Sequence, residues 1–408
     1  MRVLFTTLPG AGPLHPLVPL AQALTQAGHE VAFATSPSYC QTIEANGFRC
    51  FPAGYDWLVS AWEPVYAHVR GGWADKQSFS PFIDVYADFL PCSMAPDLFR
   101  IAETWCPDVV VREPMEFAGC VVAEALSIPH AVCGPLFAYW QGAWHDIPGE
   151  VKKPNLDRLR ERYGLLPDPQ LAMLHRYLYL AFLPPAFLHS DLAPPPTVHF
   201  LRPVSFNQSG TEALPGWIAR LPARPTVHAS LGTVFHRTPG VFDAIIEGLR
   251  DEAINLIVAV GRDQDPSAFG SQPSNVRIEK YIPHTLLLPY CDLVITHGGF
   301  SSVMSCIDQG LPMVAIPLAG GDQPGNSARA AALGVARVIG ANERKPALIR
   351  KAVLDILDDP SYRNNARRLK QDLQSLPPVE HAVALLQRLA HEKVPINARQ
   401  EERPAEKV

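Results

Sequence analysis

Two series of short apolar runs, each run followed by a stretch of helical period, constrain this chain more than any other feature. In the first, RVLFTT leads through LPGAGPLHP into the helical pattern LVPLAQALTQAGH, and EVAFAT, DVVVRE and HAVCG follow. In the second, TVHASLGT, INLIVAVG, VRIEKYIP, CDLVITHGG and PMVAIPL repeat the scheme. Parallel strands need crossovers long enough to hold a helix, so such alternation builds parallel sheets covered on both faces. Two series predict an α/β chain of two Rossmann-like domains, with the crevice between them as the place for ligands. The expected first domain spans 1–205, a proline-rich linker 206–222, and the second domain 223–376. The amphipathic VEHAVALLQRLAHE, a helix at about 379–393, is expected to rejoin the first domain, and the polar segment 396–408 to be disordered. Further helices are expected at 116–127, 156–163 and 168–182.

With 408 residues, the chain has room for two cores of ordinary size. Its net charge of −5 supplies no basic field for nucleic acid or anionic lipid. No apolar run is long enough to span a membrane, and the first one, ended by Pro9-Gly10, is too brief for a signal sequence. A cytoplasmic protein without stable membrane insertion is expected. The eight cysteines contain no C-x-x-C pair and no zinc-ligand spacing, so buried free thiols are expected as well.

The stretch ITHGGFSS, 295–302, ends a strand-like run in a histidine, two glycines and two serines, and helical spacing resumes at Val303. A helix amino terminus offers unpaired N–H groups and the positive end of the helix dipole, which suits phosphate. Gly298 and Gly299 let that backbone approach an anion, Ser301 and Ser302 add hydroxyls, and His297 can donate from its ring or neutralise charge if protonated. These residues read as a diphosphate cradle or as a strand-end turn with a serine cap. Further on, PMVAIPL ends in a loop carrying Asp322 and Gln323, which suit a ligand made of hydroxyls or, equally, a cap on a helix starting near Asn326.

From Tyr281 through Gly334, the order of a tyrosine-proline turn, a phosphate cradle and a hydroxyl reader resembles the donor-binding signature of family 1 nucleotide-sugar-dependent glycosyltransferases, in the style of bacterial natural-product enzymes. The first 35 residues resemble that family's first strand–helix–strand unit, so the likeness spans essentially the whole chain. The resemblance implies the GT-B architecture, two Rossmann-like domains facing across a cleft. It implies that Tyr281 stacks on the nucleobase, that Ile282 reads its edge through the backbone, and that His284 lies near the ribose. It places His297, Gly299 and Ser302 on the diphosphate with Ser301 at a variable polar position, Gly232 and Thr233 on a second phosphate loop, and Asp322 and Gln323 on the sugar hydroxyls. Ser305 stands where many members have a ribose-binding Glu, which leaves UDP-sugars and dTDP-sugars both open.

The resemblance also implies a general-base histidine three residues before Pro16, and that place holds Pro13. His15 is the nearest histidine, and Glu113 stands where the family has the acid that orients the base, fixing its tautomer and stabilising the imidazolium. His145, in YWQGAWHDIPGE, is the spare candidate. The sequence reading is therefore an inverting, metal-independent transferase without a cofactor, taking a nucleotide-sugar donor and a hydrophobic small-molecule acceptor, with no nucleic-acid partner and with a homodimer permitted. Its first rival, favoured by Pro13, is a catalytically inactive relative acting as an auxiliary binding protein. A second rival, a sugar-nucleotide epimerase, would need further acid and base groups at the sugar.

Overall fold

The structure, a computed structural model, describes residues 1–72, 81–135, 149–188, 193–204, 206, 213–232, 234, 236–319 and 321–398. They form two compact units, one from Met1–Leu183, Asp191–Val204 and Pro377–Val408, the other from Pro184–Ser190 and Ser205–Leu376.

The first unit holds a seven-stranded parallel sheet of β1 (Arg2–Thr6), β2 (Glu30–Thr35), β3 (Arg49–Pro52), β4 (Val109–Arg112), β5 (His130–Gly134), β6 (Leu178–Ala181) and β7 (Val198–Phe200), in the order 3-2-1-4-5-6-7. The order reverses between β1 and β4, where Thr6 lies in register with Arg112. All four residues of β4 are buried, as a strand covered on both faces requires. Arg112 is the costly exception, and its two terminal nitrogens are met by carbonyls while its buried Nε has no partner. Its guanidinium donates to the backbone oxygens of Glu113 at 3.2 Å, Pro114 at 3.1 Å, Glu116 at 3.1 Å and Leu174 at 2.9 Å, which shapes the turn just beyond the strand.

Helices cover the faces of this sheet, among them Val18–Gln26 and Ala118–Ala125. The helix Val379–Glu392 returns to this unit, its Gln387 Nε2 lying 3.0 Å from His29 Nε2. Ile396, inside the segment expected to be disordered, is buried, and its amide donates to the Tyr177 carbonyl at 2.8 Å; residues 399–408 lie outside the described residues. The expected helix at 168–182 is corrected to a 3₁₀ turn at Ala172–Leu174 followed by β6. A short, wholly apolar run buried on both faces reads alike as helix or strand, and here it pairs between β5 and β7. The thiols are also corrected. Cys40 and Cys50 form a disulfide with Cα atoms 5.4 Å apart, because the short helix Cys40–Ala45 turns the chain back into β3, while the other six cysteines are free.

The second unit repeats the design with β8 (Thr226–Ser230), β9 (Asn255–Ala259), β10 (Val276–Glu279), β11 (Leu293–Thr296), β12 (Met313–Ala315) and β13 (Ala336–Val338), ordered 10-9-8-11-12-13. Its reversal lies between β8 and β11, where Ser230 pairs with Thr296. Ile245 and Val353 from the covering helices close over Val227, Leu256, Leu293 and Ile295 in one core. Of the expected linker, residues 213–222 belong to this unit, with Ile218 buried in the 3₁₀ turn Ile218–Arg220, while 207–212 lie outside the described residues. Among the described residues no helix is long and apolar enough to cross a membrane.

Candidate functional site

Ligands of open α/β sheets bind beyond the strand ends at the reversal of strand order, and in the second unit the segments leaving β8 and β11 meet there. The β11 segment carries His297, and its ring lies against two glycines. A Cβ on Gly232, just past β8, would fall 2.6 Å from His297 Cε1, and one on Gly299 would fall 2.4 Å from Nε2. Both positions therefore need glycine. Gly298 needs it for a different reason: its φ is +82°, and a Cβ there would lie 2.2 Å from Ser327 Oγ. Burial pushes the His297 imidazole down to about 4, so the ring is neutral at ordinary pH. A neutral ring can still donate from one nitrogen, the first of the two roles expected of it. His297 Nδ1 is buried with no hydrogen-bond partner.

Gly299 caps the helix Phe300–Gln309, which places the amides of Phe300, Ser301 and Ser302 in its first turn, without acceptors inside the helix. The Phe300 amide donates to Asp322 Oδ2 at 3.0 Å. Ser301 is exposed and Ser302 half-buried, and Ser305 bonds back to the Ser301 carbonyl at 2.8 Å. Asp322 and Gln323 open the helix Asp322–Ala332, which begins four residues earlier than expected from sequence. Gln323 Oε1 accepts from the amides of Leu318 at 2.9 Å and Ala319 at 3.2 Å, which pins the loop after β12. Thr233 lies outside the described residues.

Tyr281 follows β10 and is exposed, with the Arg262 guanidinium carbon 3.7 Å from its ring centroid. The Ile282 side chain is buried with the core, so any contact it makes with a ligand is through its backbone. His284, the first residue of the helix His284–Leu287, packs its ring 5.3 Å from that of His228 on β8, and its Nε2 is buried without a partner. Burial, then the neighbouring His228 and His297, push His284 down to about 3. His228 Nδ1 lies 3.1 Å from the Ile257 carbonyl, which can only accept, so that nitrogen carries the proton.

In the first unit the loops after β1 and β4 meet at the other reversal point. Pro13 lies in the short helix Ala11–Leu14, where a missing N–H is tolerated, and half-buried His15 follows directly, pushed down to about 4 by burial. The Glu113 amide donates to the Thr6 carbonyl at 3.0 Å, which ties that residue to the end of β1. Its side chain is 3% exposed, Oε2 accepts from the Met115 amide at 2.9 Å, and Oε1 has no partner. Burial pushes Glu113 up to about 8. Glu116 caps the helix Ala118–Ala125 through the Gly119 amide and accepts from Thr6 Oγ1. A pocket lined by Thr7, Leu8, Trp57, Tyr86, Met115 and Phe117 opens at this edge. His145 lies outside the described residues.

Residues 22–232 match the profile of the N-terminal domain of erythromycin biosynthesis protein CIII-like proteins, and residues 244–389 that of the C-terminal domain. The chain belongs to this family. This CIII-like chain is 30% identical to 10-deoxymethynolide desosaminyltransferase of Streptomyces venezuelae, over 98% of its own length and all of the relative's. It is 27% identical to 4'-demethylrebeccamycin synthase of Lentzea aerocolonigenes, over 95% and 99% of the two chains. The crystal structure of the glycosyltransferase VinC in complex with DTDP superposes with a TM-score of 0.78 at 25% identity, covering 96% of this chain and all of the other. The calicheamicin glycosyltransferase CalG4 shares the fold with a TM-score of 0.81 at 22% identity. The CIII-like chain is thus a bacterial natural-product glycosyltransferase of GT-B architecture, an enzyme that transfers sugars to aglycones.

Four polar groups at these edges were not singled out from the sequence of this CIII-like enzyme. His236 Nε2 lies 2.6 Å from Asp263 Oδ1, joining the loops after β8 and β9, and Arg262 covers Tyr281. Asn326 Nδ2 donates to both Asp322 Oδ2 and the Gly298 carbonyl. Only Asn326 left a signal in the sequence, its spacing of four residues from Asp322 on one helix face.

Proposed function

We propose that this CIII-like glycosyltransferase moves a sugar from a UDP- or dTDP-sugar to a hydrophobic small-molecule acceptor, polyketide or phenolic, with inversion and without metal or cofactor. The observation that carries the reading is the His297 ring set against Gly232 and Gly299 at the head of the helix Phe300–Gln309. That arrangement gathers backbone amides and a neutral ring donor where a diphosphate leaves, and such preorganised donors are the main device for stabilising developing charge. The acceptor oxygen attacks the anomeric carbon from the opposite side. Trp57, Tyr86 and Phe117 around the small pocket of the first unit support an apolar acceptor, and VinC, solved with DTDP, supports the dTDP alternative. Tyr281 takes the base, Asp322 and Gln323 take the sugar, and the enzyme works in the cytoplasm.

In this reading His15 takes the acceptor proton, and Glu113, which is not hydrogen-bonded to His15 in this structure, uses its unpartnered Oε1 to stabilise the imidazolium that results. Glu113 titrates near 8, so its carboxylate forms only as the pH approaches that value, and kcat/KM should rise toward pH 8. Glu113→Gln is expected to abolish that rise. His15→Ala and Glu113→Ala should each impair turnover, and the double variant should be little worse than the worse single one, as for groups acting as a unit. Phenols, which ionise readily, should outperform aliphatic alcohols. Nucleoside diphosphate release, followed across a panel of donors and acceptors, checks all of this. Full activity of His15→Ala on every acceptor sends the search to His145. Pro13 favours a second reading, an inactive auxiliary homologue, and the absence of release with every pair while nucleotide still binds would select it.

A further inference from the structure

We propose that Asn326 is a positioning residue that turns one carboxylate oxygen of Asp322 inward, so that the donor site meets its sugar through one carboxylate oxygen and one amide N–H instead of clamping a vicinal diol. The inference rests on the reading of Asp322 and Gln323 as the sugar contacts.

Asn326 is 5% exposed and lies one helical turn beyond Asp322. Its Nδ2 donates to Asp322 Oδ2 at 2.9 Å and to the Gly298 carbonyl at 3.1 Å. Both partners are acceptors, which fixes the orientation of the amide. The Phe300 amide brings a second bond to the same Oδ2 at 3.0 Å, so both lone pairs of that oxygen are engaged within the protein. The carboxylate also accepts from the Asp322 amide, and Oδ1 is the oxygen with a lone pair left for a ligand. Gln323, 4% exposed, is committed in the same way, because its Oε1 accepts from Leu318 and Ala319 and only Nε2 remains to donate outward.

A carboxylate clamps two adjacent hydroxyls when each of its oxygens accepts one of them. With Oδ2 occupied, that geometry is closed. What the pair offers is one acceptor oxygen and one donor N–H, which match one donating and one accepting substituent on the sugar. Since Asn326 also holds the Gly298 carbonyl, it joins the residue that meets the sugar to the backbone of the phosphate cradle. Burial pushes Asp322 up, and the bonds from the Phe300 amide and Asn326 pull in the opposite direction.

Calorimetric titration without acceptor tests the inference, using dTDP, dTDP-glucose and its 3-deoxy and 4-deoxy analogues on the wild type, Asn326→Ala, Asp322→Ala and Gln323→Ala. In the wild type, deleting the hydroxyl that meets the carboxylate oxygen should cost about tenfold to 100-fold in affinity, the scale of one bond to a charged group, and deleting the other should cost less than about tenfold. In Asn326→Ala, the affinity of dTDP-glucose relative to dTDP should shift by about tenfold or more, beyond any loss that dTDP itself shows through the Gly298 carbonyl. Losses of about 100-fold on removing each of the two hydroxyls separately would reveal a diol clamp and overturn the proposal. Equal losses for dTDP and dTDP-glucose in Asn326→Ala would overturn it too, leaving Asn326 as a support of the cradle only. If Asn326→Ala fails to fold, the wild-type deoxy series still decides. Sugar preference unchanged in both Asp322→Ala and Gln323→Ala would instead refute the underlying reading of those two residues.

Discussion

Replacing His297 by alanine is expected to lower kcat/KM by about 100-fold or more, the usual effect of losing one preorganised donor beside a developing charge, about 3 kcal/mol. The expectation follows from where the ring sits. It is wedged against Gly232 and Gly299, which cannot carry a Cβ while it is there, and it is held neutral by a pKa pushed down to about 4. Its value to the reaction is a fixed N–H dipole aimed without rearrangement, so the rate should show no titration of this ring between pH 6 and 8. Stability should change far less than activity. Nδ1 makes no hydrogen bond, and truncating a half-buried ring outside the main core typically costs about 1 kcal/mol. Steady-state kinetics alongside urea denaturation separates the two effects, and turnover within a factor of two of the parent would count decisively against the site.

Gly299→Ala should lose nearly as much activity through geometry alone. Gly299 has φ −63° and ψ 143°, a conformation every residue adopts, so alanine strains no backbone. Its new methyl would lie 2.4 Å from His297 Nε2, and the ring must leave its place. A shift of about 1 Å in a catalytic group can cost on the order of 100-fold. The two substitutions should therefore be strongly non-additive: once His297 is alanine, the methyl has no ring to displace, and adding Gly299→Ala should cost little more. Additive losses would show that Gly299 serves the ligand through its own backbone, independently of the ring. Gly232→Ala makes a useful contrast. Its φ of +77° adds backbone strain to the same clash, so stability should fall together with activity.

The cradle was legible in the sequence because chemistry and punctuation coincide there. A buried strand, LVIT, ends just before His297, and glycines follow where backbone must be approached closely. The alternation of strands and helices gave both sheets, and the reversal points followed from it. What stayed hidden was whatever the parallel topology assembles from distant segments. His236 and Asp263 stand 27 residues apart and meet only because β8 and β9 are neighbours. His228 is one of three polar residues in the strand TVHAS, and nothing near it in sequence points to His284. Asn326 was passed over because the helix was expected to begin at that residue. With Asp322 as the first helical residue, the two lie four apart on one face. The Arg112 staple was invisible for another reason: its partners are carbonyls, which carry no residue identity.

The central claim is that the helix head at Phe300–Gln309, with His297 beside it, holds the diphosphate of the donor. A crystal structure of the protein with bound dTDP or UDP tests it most directly. The account predicts phosphate oxygens within hydrogen-bond distance of the His297 ring and of the Ser301 and Ser302 amides, with the base against Tyr281. A diphosphate bound elsewhere, with the His297 ring still seated against Gly232 and Gly299 and contacting no ligand, would contradict it.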